Sequence, residues 1–172
     1  MADTKISAIT TDSAPDRVAD YAPTYDASAV ATKKVLLSDF GAIPYVTWFG
    51  NALSPADSTT YVFSPFPAFG LATTVASHRT YIQRAGKIVA VRLFGGCTTG
   101  SAENSTVALR LNDTTDTTIT STLALNASPF TVANTAISIA VAVGDYITIK
   151  ITTPAWVTNP TNVTTAAQIY QT

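Results

Sequence analysis

The sequence is poor in the side chains that carry out most enzyme chemistry. Its 172 residues include one histidine (His78), one cysteine (Cys97), one glutamate (Glu103) and a single methionine. A catalytic triad needs a histidine placed against a nucleophile and an acid, and no neighbour of His78 in the sequence supplies that arrangement. No Cys/His spacing typical of a metal site and no glycine-rich phosphate loop is present. We therefore expect a protein that is not an enzyme and that needs no cofactor or metal.

Charged residues are also scarce, at 12% of the chain, and the net charge is -1. A nucleic-acid-binding domain usually carries a basic surface, and an anionic membrane attracts a polybasic segment, so we expect neither partner. No apolar run reaches the ~18 residues of a membrane span. No apolar stretch follows Lys5 as it would in a secretory signal, which predicts a protein made in a cytoplasm. A nearly neutral surface favours association, so the composition indicates an oligomer or a component of an assembly.

The sequence does contain many segments in which apolar and polar residues alternate. A period of two gives a strand one apolar and one polar face, which is typical of half-buried β-strands. Turn residues separate the segments, and at one of these turns we expect Gly144 to take a positive φ and Asp145 to hydrogen-bond within its own turn. Gly95 and Gly96 are expected to end another strand. The alternating runs are 87–94, 105–111, 117–125, 130–139, 146–151 and 163–170.

The segment 41–86 is less regular but rich in aromatic residues. Pro65 and Pro67 lack a backbone donor and therefore exclude a regular strand around them. We expect Phe66 and Phe69, in the same loop, to pack against the edge of the folded domain or against a neighbouring subunit. Further strands are expected at 45–53, 60–63 and 76–84.

Together these segments predict an all-β fold, a jelly-roll-like β-sandwich of about eight antiparallel strands with an extended N-terminal arm. The predicted domains are residues 1–40, an attachment segment, and residues 41–172, the sandwich. Trp48 and Trp156 are expected in the core or at a subunit interface rather than in a ligand platform.

Four acidic residues of the predicted sandwich are the remaining candidates for chemistry. Glu103, Asp113, Asp116 and Asp145 all fall in predicted turns, where acids usually serve turn geometry. Hydrolysis by paired carboxylates needs two acids held at a fixed separation, which this placement does not suggest. The segment 112–116 contains oxygen ligands suited to calcium but lacks the ligand density and the glycine of a dedicated loop.

The first 40 residues differ from the rest of the chain. Their middle carries two prolines and several aspartates without a sustained period, and a short strand is expected at 31–40. Such a segment is either ordered by a partner or remains a flexible tail. If it is ordered by a partner, its apolar residues are the candidate contacts, namely Ile6, Ile9, Val35, Leu36 and Leu37.

Two blocks of this segment resemble known proteins. The opening ADTKISAIT, followed about twenty residues later by ATKKVLLSDF, resembles the N-terminal segment of many tailed-bacteriophage virion proteins. In that family such segments sit at the base of fibre, spike or head-decorating proteins and hold them to the particle. The resemblance therefore implies that residues 1–40 attach this chain to a virion.

A second resemblance covers about half of the chain. The blocks AGKIVAVRLFGG and VAVGDYITIKITTP are similar to strands of jelly-roll domains in phage tail-spike and decoration proteins. The resemblance implies a structural virion protein, a homotrimeric capsid decoration (cement) protein that stabilises a phage head. Its partners would be its own trimer mates and the major capsid protein, and its location the capsid surface of a virion assembled in a bacterial host.

Two other functions stay open at the level of sequence. One is a receptor-binding module of a tail fibre or spike that recognises host surface glycans through exposed loops. Complete fibres usually carry a long repetitive shaft, for which 172 residues leave no room. The other is a carbohydrate-active enzyme on a jelly roll, which the small number of acids and the single histidine disfavour.

Overall fold

The structure is a computed structural model that describes residues 21–26, 31–36, 43–52, 54–65, 72–74 and 76–172. The chain forms two compact units, Met1–Gly41 and Ala42–Thr172. In the first unit, β1 (Tyr21–Asp26) and β2 (Ala31–Leu36) pair antiparallel. The strand expected in the second half of the N-terminal segment is thus β2. Its partner β1 was not expected, because its sequence shows no alternation.

The second unit consists of antiparallel strands in two sheets, as the alternating sequence predicts. Within the described residues there is no α-helix, and the 3-10 turn Ala76–His78 interrupts the strands. No helix in this part of the chain is long and apolar enough to cross a membrane. The strands are β3 (Ile43–Ala52), β4 (Thr60–Val62), β5 (Thr80–Tyr81), β6 (Gly86–Gly96), β7 (Gly100–Leu111), β8 (Thr115–Asn126), β9 (Phe130–Asn134), β10 (Ile139–Val141), β11 (Tyr146–Thr152) and β12 (Val163–Gln171).

The order of the strands is that of a jelly roll. Sheet 1 runs β3–β12–β6, with β9 and β10 following one another along the free edge of β6. Sheet 2 runs β8–β7–β11, with β4 and β5 following one another along the free edge of β11. Because β9 and β10 share one edge of β6, and β4 and β5 share one edge of β11, each of these pairs counts as one strand position. The two sheets then have eight strand positions. When these positions are numbered along the chain, the first strand position pairs with the eighth, the second with the seventh, the third with the sixth and the fourth with the fifth. This arrangement confirms the predicted jelly-roll-like sandwich.

The core lies between the two sheets and is built by the inward faces of the alternating segments. In β11, Ile147, Ile149 and Ile151 are at most 1% exposed, while Lys150 and Thr152 point the other way. Trp48 of β3 and Trp156 belong to the same buried cluster, which confirms their expected place in the core. Full burial of a large apolar side chain contributes about 1.5–3 kcal/mol, so this cluster is the main source of the sandwich's stability.

Two of the predicted strands are broken in the structure. The segment 76–84 forms the 3-10 turn and only the two-residue strand β5. The segment 130–139 is divided into β9 and β10 because the Asn134 side chain accepts a hydrogen bond from the Ala136 backbone N–H at 3.0 Å. A side chain that bonds two residues ahead in this way forms a local turn and ends the strand.

Gly95 and Gly96 are the last two residues of β6, which therefore ends where the sequence predicted, although both glycines still belong to the strand. Both pair with β12, opposite Thr165 and Thr164. A Cβ atom added to Gly95 would lie 2.1 Å from the Thr164 carbonyl oxygen, whereas one added to Gly96 would meet no atom within 3.5 Å. Glycine at position 95 therefore allows a close approach of two backbones within the sheet rather than a turn.

Candidate functional site

One end of the sandwich, which we call the hairpin end, brings together three segments that are distant in the sequence. They are the β7–β8 turn, the β10–β11 turn and the stretch from the 3-10 turn to β5. In the β7–β8 turn, Asn112 and Asp113 have φ values of 51° and 57°, and the Thr114 N–H donates to the Leu111 carbonyl oxygen at 3.1 Å. Asn and Asp tolerate positive φ better than other non-glycine residues, which explains this choice of residues for the turn.

Asp145 and Asn112 join the two turns. The Asp145 carboxylate accepts from the Ala142 N–H at 2.8 Å, within its own turn, and from the Asn112 side-chain amide at 2.8 Å. Gly144 in this turn has a φ of 91°. Both observations confirm the turn expected from the sequence. The hydrogen bond from Ala142, followed by that from Asn112, lowers the pKa of Asp145 below its ordinary value.

An arginine lies across the outer side of this end. The Arg79 guanidinium donates to Asp113 Oδ2 through Nη2 and, at 3.1 Å, through Nε. It also lies over the Tyr146 ring, with Cζ 4.4 Å from the ring centroid, and the Tyr146 hydroxyl donates to the same carboxylate oxygen at 3.3 Å. The bond to Asp113 is the main cause that raises the pKa of Arg79. This cluster is an ion pair of no net charge, supported by a cation–π contact.

Tyr81 stands at the edge of this cluster and is about half exposed. Its side chain packs edge to face against Tyr146, with 5.6 Å between ring centroids, yet the residue is 51% exposed. Backbone hydrogen bonds from Ile82 N to Asp145 O and from Gly144 N to Ile82 O fix the adjoining backbone. Val143, which lies in the β10–β11 turn that these bonds hold, is also exposed. The hairpin end therefore presents an exposed aromatic ring on a fixed support.

His78, the only histidine, is buried beside this cluster. Its Nδ1 lies 2.8 Å from the Ser77 hydroxyl, and its Nε2 has no hydrogen-bond partner. Thr80 Oγ1 and Asp113 Oδ1 are likewise buried without a partner. Among the described residues, no three His, Cys, Asp or Glu side chains lie close enough together to hold a metal ion.

The outer faces of the two sheets differ in character. On sheet 2, the Asp116 carboxylate accepts from Arg110 Nε at 3.0 Å and from Lys150 Nζ at 2.5 Å. Asp116 lies in β8 and Glu103 in β7, so the prediction that all four acids occupy turns was wrong for these two. An exposed ion-pair network of this kind keeps a sheet face hydrated and contributes little to stability.

The outer face of sheet 1 is instead apolar along one row of register partners. Ala166 of β12 pairs with Phe49 of β3 on one side and with Phe94 of β6 on the other. The next residues along the three strands, Ala167, Trp48 and Leu93, lie in the core, so the row itself faces outward. Phe94 is 38% exposed, whereas Ala166 is 7% exposed between its two neighbours. We call Phe49, Ala166 and Phe94 the phenylalanine row.

Comparisons with known proteins leave the family of this chain open. No protein-family model and no curated protein matches the sequence. The resemblance to phage virion proteins therefore remains a prediction from the quoted blocks of sequence.

The predicted contact residues do not form a site within the part of the chain that the structure describes. Val35 and Leu36 lie in β2, opposite Ala22 and Tyr21, and their side chains are outside the description. Cys97 packs partly buried against the core, and its sulfur accepts from the Ala127 N–H at 3.3 Å. The other predicted contacts lie outside the described residues, namely Ile6, Ile9, Leu37, Phe66 and Phe69.

The sequence pointed to Asp113 and Asp145 of the hairpin end but not to Arg79, Tyr81 or Tyr146. Arg79 and Asp113 are separated by 34 residues, and no local sequence pattern predicts that they form an ion pair. The outward direction of Phe49 and Phe94 in the phenylalanine row could have been predicted from the sequence. Phe49 follows Trp48 and Phe94 follows Leu93, and two consecutive bulky apolar residues in a strand place one on each face.

Proposed function

We propose that this chain is a structural protein of a tailed-phage virion, a homotrimer that decorates the capsid and stabilises the head. The proposal rests on the resemblance of residues 2–10 and 31–40 to virion attachment segments, together with the phenylalanine row. A jelly roll by itself hosts many functions, so the fold alone does not carry the proposal.

The phenylalanine row is the observation that favours a covered sheet face. A half-exposed Phe on a strand gains free energy when a partner buries it, at about 25 cal/mol per Å² of apolar area. The opposite face of the sandwich carries the Arg110–Asp116–Lys150 network instead and is suited to water. In the proposed trimer, sheet 1 contacts a neighbouring subunit and sheet 2 faces outward.

The N-terminal unit supplies the proposed tether. Met1–Gly41 is a compact unit by itself, and its β1–β2 hairpin includes Val35 and Leu36. In the proposed mechanism, this unit contacts the capsid shell and the sandwich forms the trimer. Burial of about 1,000 Å² or more at each contact is the size expected of a specific interface.

The test compares the full chain with a variant that consists of residues 42–172. Both are added to phage heads that lack the protein, and the copies bound per head are counted by quantitative mass spectrometry. We expect the full chain to bind at a copy number comparable with that of the capsid subunit, and the variant to stay folded but not to bind. Full occupancy by the folded variant would exclude the tether, and failure of the full chain to bind any head would exclude decoration.

Recognition of host surface glycans is a second candidate function, and Tyr81 is the specific observation in its favour. The Tyr81 residue is 51% exposed and its ring is held edge to face against Tyr146, so it offers a fixed aromatic surface to a ligand. The ring belongs to the turns at one end of the sandwich, away from the phenylalanine row in the middle of sheet 1. Both functions are therefore compatible with one particle.

A further inference from the structure

We propose that the hairpin end is a saccharide-binding site in which the exposed ring of Tyr81 stacks on an uncharged sugar ring. The inference rests on the second candidate function and names its site and its ligand chemistry. It does not depend on attachment to a phage head.

The first argument is the support behind the Tyr81 ring. The ring meets Tyr146 edge to face, and Tyr146 is in turn covered by the Arg79 guanidinium on one face. The following residue, Ile82, is 1% exposed and is bonded to the β10–β11 turn. A ring fixed in this way loses little conformational freedom on binding, which is what a flat stacking platform requires.

The second argument is the set of polar groups beside the ring. Arg79 uses Nε and one Nη2 hydrogen on Asp113, which leaves further guanidinium N–H groups on a side chain that is 30% exposed. A hydrogen bond between the Tyr81 hydroxyl and Arg79 is a minor cause of the raised pKa of Arg79, which places the donor next to the ring. An apolar surface bordered by hydrogen-bond donors matches a pyranose, which has an apolar C–H face and a rim of hydroxyl groups.

The third argument concerns charge and selects the class of saccharide. Asp113 compensates the charge of Arg79, and both oxygens of Asp145 are occupied by donors. The donors around Tyr81 thus act within a neutral group, so an acidic sugar gains no net attraction there. We therefore assign an uncharged saccharide, bound in a manner that salt hardly changes.

A single stacking platform binds a sugar weakly, with a Kd on the order of 1 mM. Many copies on one particle, or three in one trimer, would raise the effective affinity for a repeating polysaccharide. Weak individual sites on a multivalent protein are sufficient for reversible contact with a cell surface.

The experiment titrates the full chain with a panel of neutral oligosaccharides and, as a second arm, oligosaccharides of uronic acids, followed by NMR at two salt concentrations. We expect at least one neutral oligosaccharide to bind, with a Kd that Tyr81→Ala raises about tenfold and that salt does not change. Val157→Ala is the control, because it removes an exposed apolar side chain that belongs neither to the hairpin end nor to the phenylalanine row and should leave the Kd unchanged.

Each other outcome contradicts a defined part of the inference. If folded Tyr81→Ala still binds the oligosaccharide, the protein recognises glycans, but Tyr81 is not the site. Binding of acidic sugars alone, weakened by salt, would exclude the assigned ligand class. Absence of binding across the whole panel would exclude both the site and the second candidate function. Tyr81→Phe keeps the ring and should retain binding, which separates stacking from a structural role of the hydroxyl.

Discussion

Asp145 illustrates how one side chain holds two loops in place. Its two carboxylate oxygens accept from Ala142 of its own turn and from Asn112 of the β7–β8 turn. Asn112 also accepts from the Tyr146 backbone N–H at 3.0 Å through its side-chain oxygen. The position of Tyr146, and hence of Tyr81 against it, therefore depends on this pair of polar residues.

The lowered pKa of Asp145 gives a prediction about acid stability. A carboxyl group whose pKa is lower in the folded state than in the unfolded state stabilises the fold above its unfolded pKa. That contribution should be complete above the ordinary value of 3.8 and should disappear as the pH falls through the lower, folded-state value. The urea midpoint of the wild type should thus fall more steeply below pH about 4 than that of Asp145→Asn.

The measurement is a series of urea unfolding curves for both proteins between neutral and acidic pH. The wild type should be the more stable protein at neutral pH, and the difference should narrow as the pH decreases. Parallel curves for the two proteins over the whole range would contradict the assigned role of the carboxylate. The pKa of Glu103 is also lowered, but Glu103 is present in both proteins, so its effect on the pH dependence of stability is the same in each.

Among the structural elements, β6 shows how a strand accommodates close neighbours. It pairs with β12 on one edge and with β9 and β10 on the other, so it has no free edge along most of its length. Gly95 lies where the backbone of Thr164 comes closest. A side chain at this position would push β12 away from β6.

A matched pair of substitutions tests this interpretation. Gly95→Ala should destabilise the sandwich by about 1–3 kcal/mol, because its Cβ would overlap the Thr164 carbonyl oxygen. Gly96→Ala, one residue further along the strand, has space for a Cβ and should stay within about 0.5 kcal/mol of the wild type. Both values are measured by urea unfolding. Equal effects at the two positions would show that the close approach does not determine the need for glycine.

The same strand carries Phe94, whose neighbour Leu93 points into the core. The alternation of the sequence predicted β6 correctly but did not predict which of its residues would lie next to which in the sheet. Phe94 and Phe49 are 45 residues apart in the sequence, and only the pairing of both strands with β12 aligns them on Ala166. The phenylalanine row is therefore a property of the sheet rather than of any strand.

For the molecule as a whole, the proposed trimer depends on that row. Phe94→Ser removes the most exposed member and should raise the dissociation constant of the oligomer at least tenfold, since burial of a Phe contributes about 1.5–3 kcal/mol. Sedimentation equilibrium of the full chain should show a trimer for the wild type and smaller species for the variant. Tyr81→Ser, which alters an exposed ring at the hairpin end, is the control and should sediment as the wild type does. A trimer that persists in Phe94→Ser would place the interface elsewhere.

The sequence alone determined the class of the fold and the position of most strands. These features depend on local chemistry. A period of two divides a strand into two faces wherever it occurs, and Gly144 and Asp145 form their turn from contacts within four residues. The predicted contact residues of the N-terminal segment and of the 64–70 loop remain predictions.

Only the tertiary structure decided which residues meet across the sequence. The ion pair of Arg79 with Asp113, the support of Tyr81 by Tyr146 and the phenylalanine row each join segments more than 30 residues apart. Such contacts follow from the register and order of strands in the two sheets, and the same alternating pattern is compatible with many orders and registers. The surfaces proposed here to bind a sugar and a second subunit are therefore products of strand pairing, which no single stretch of this sequence encodes.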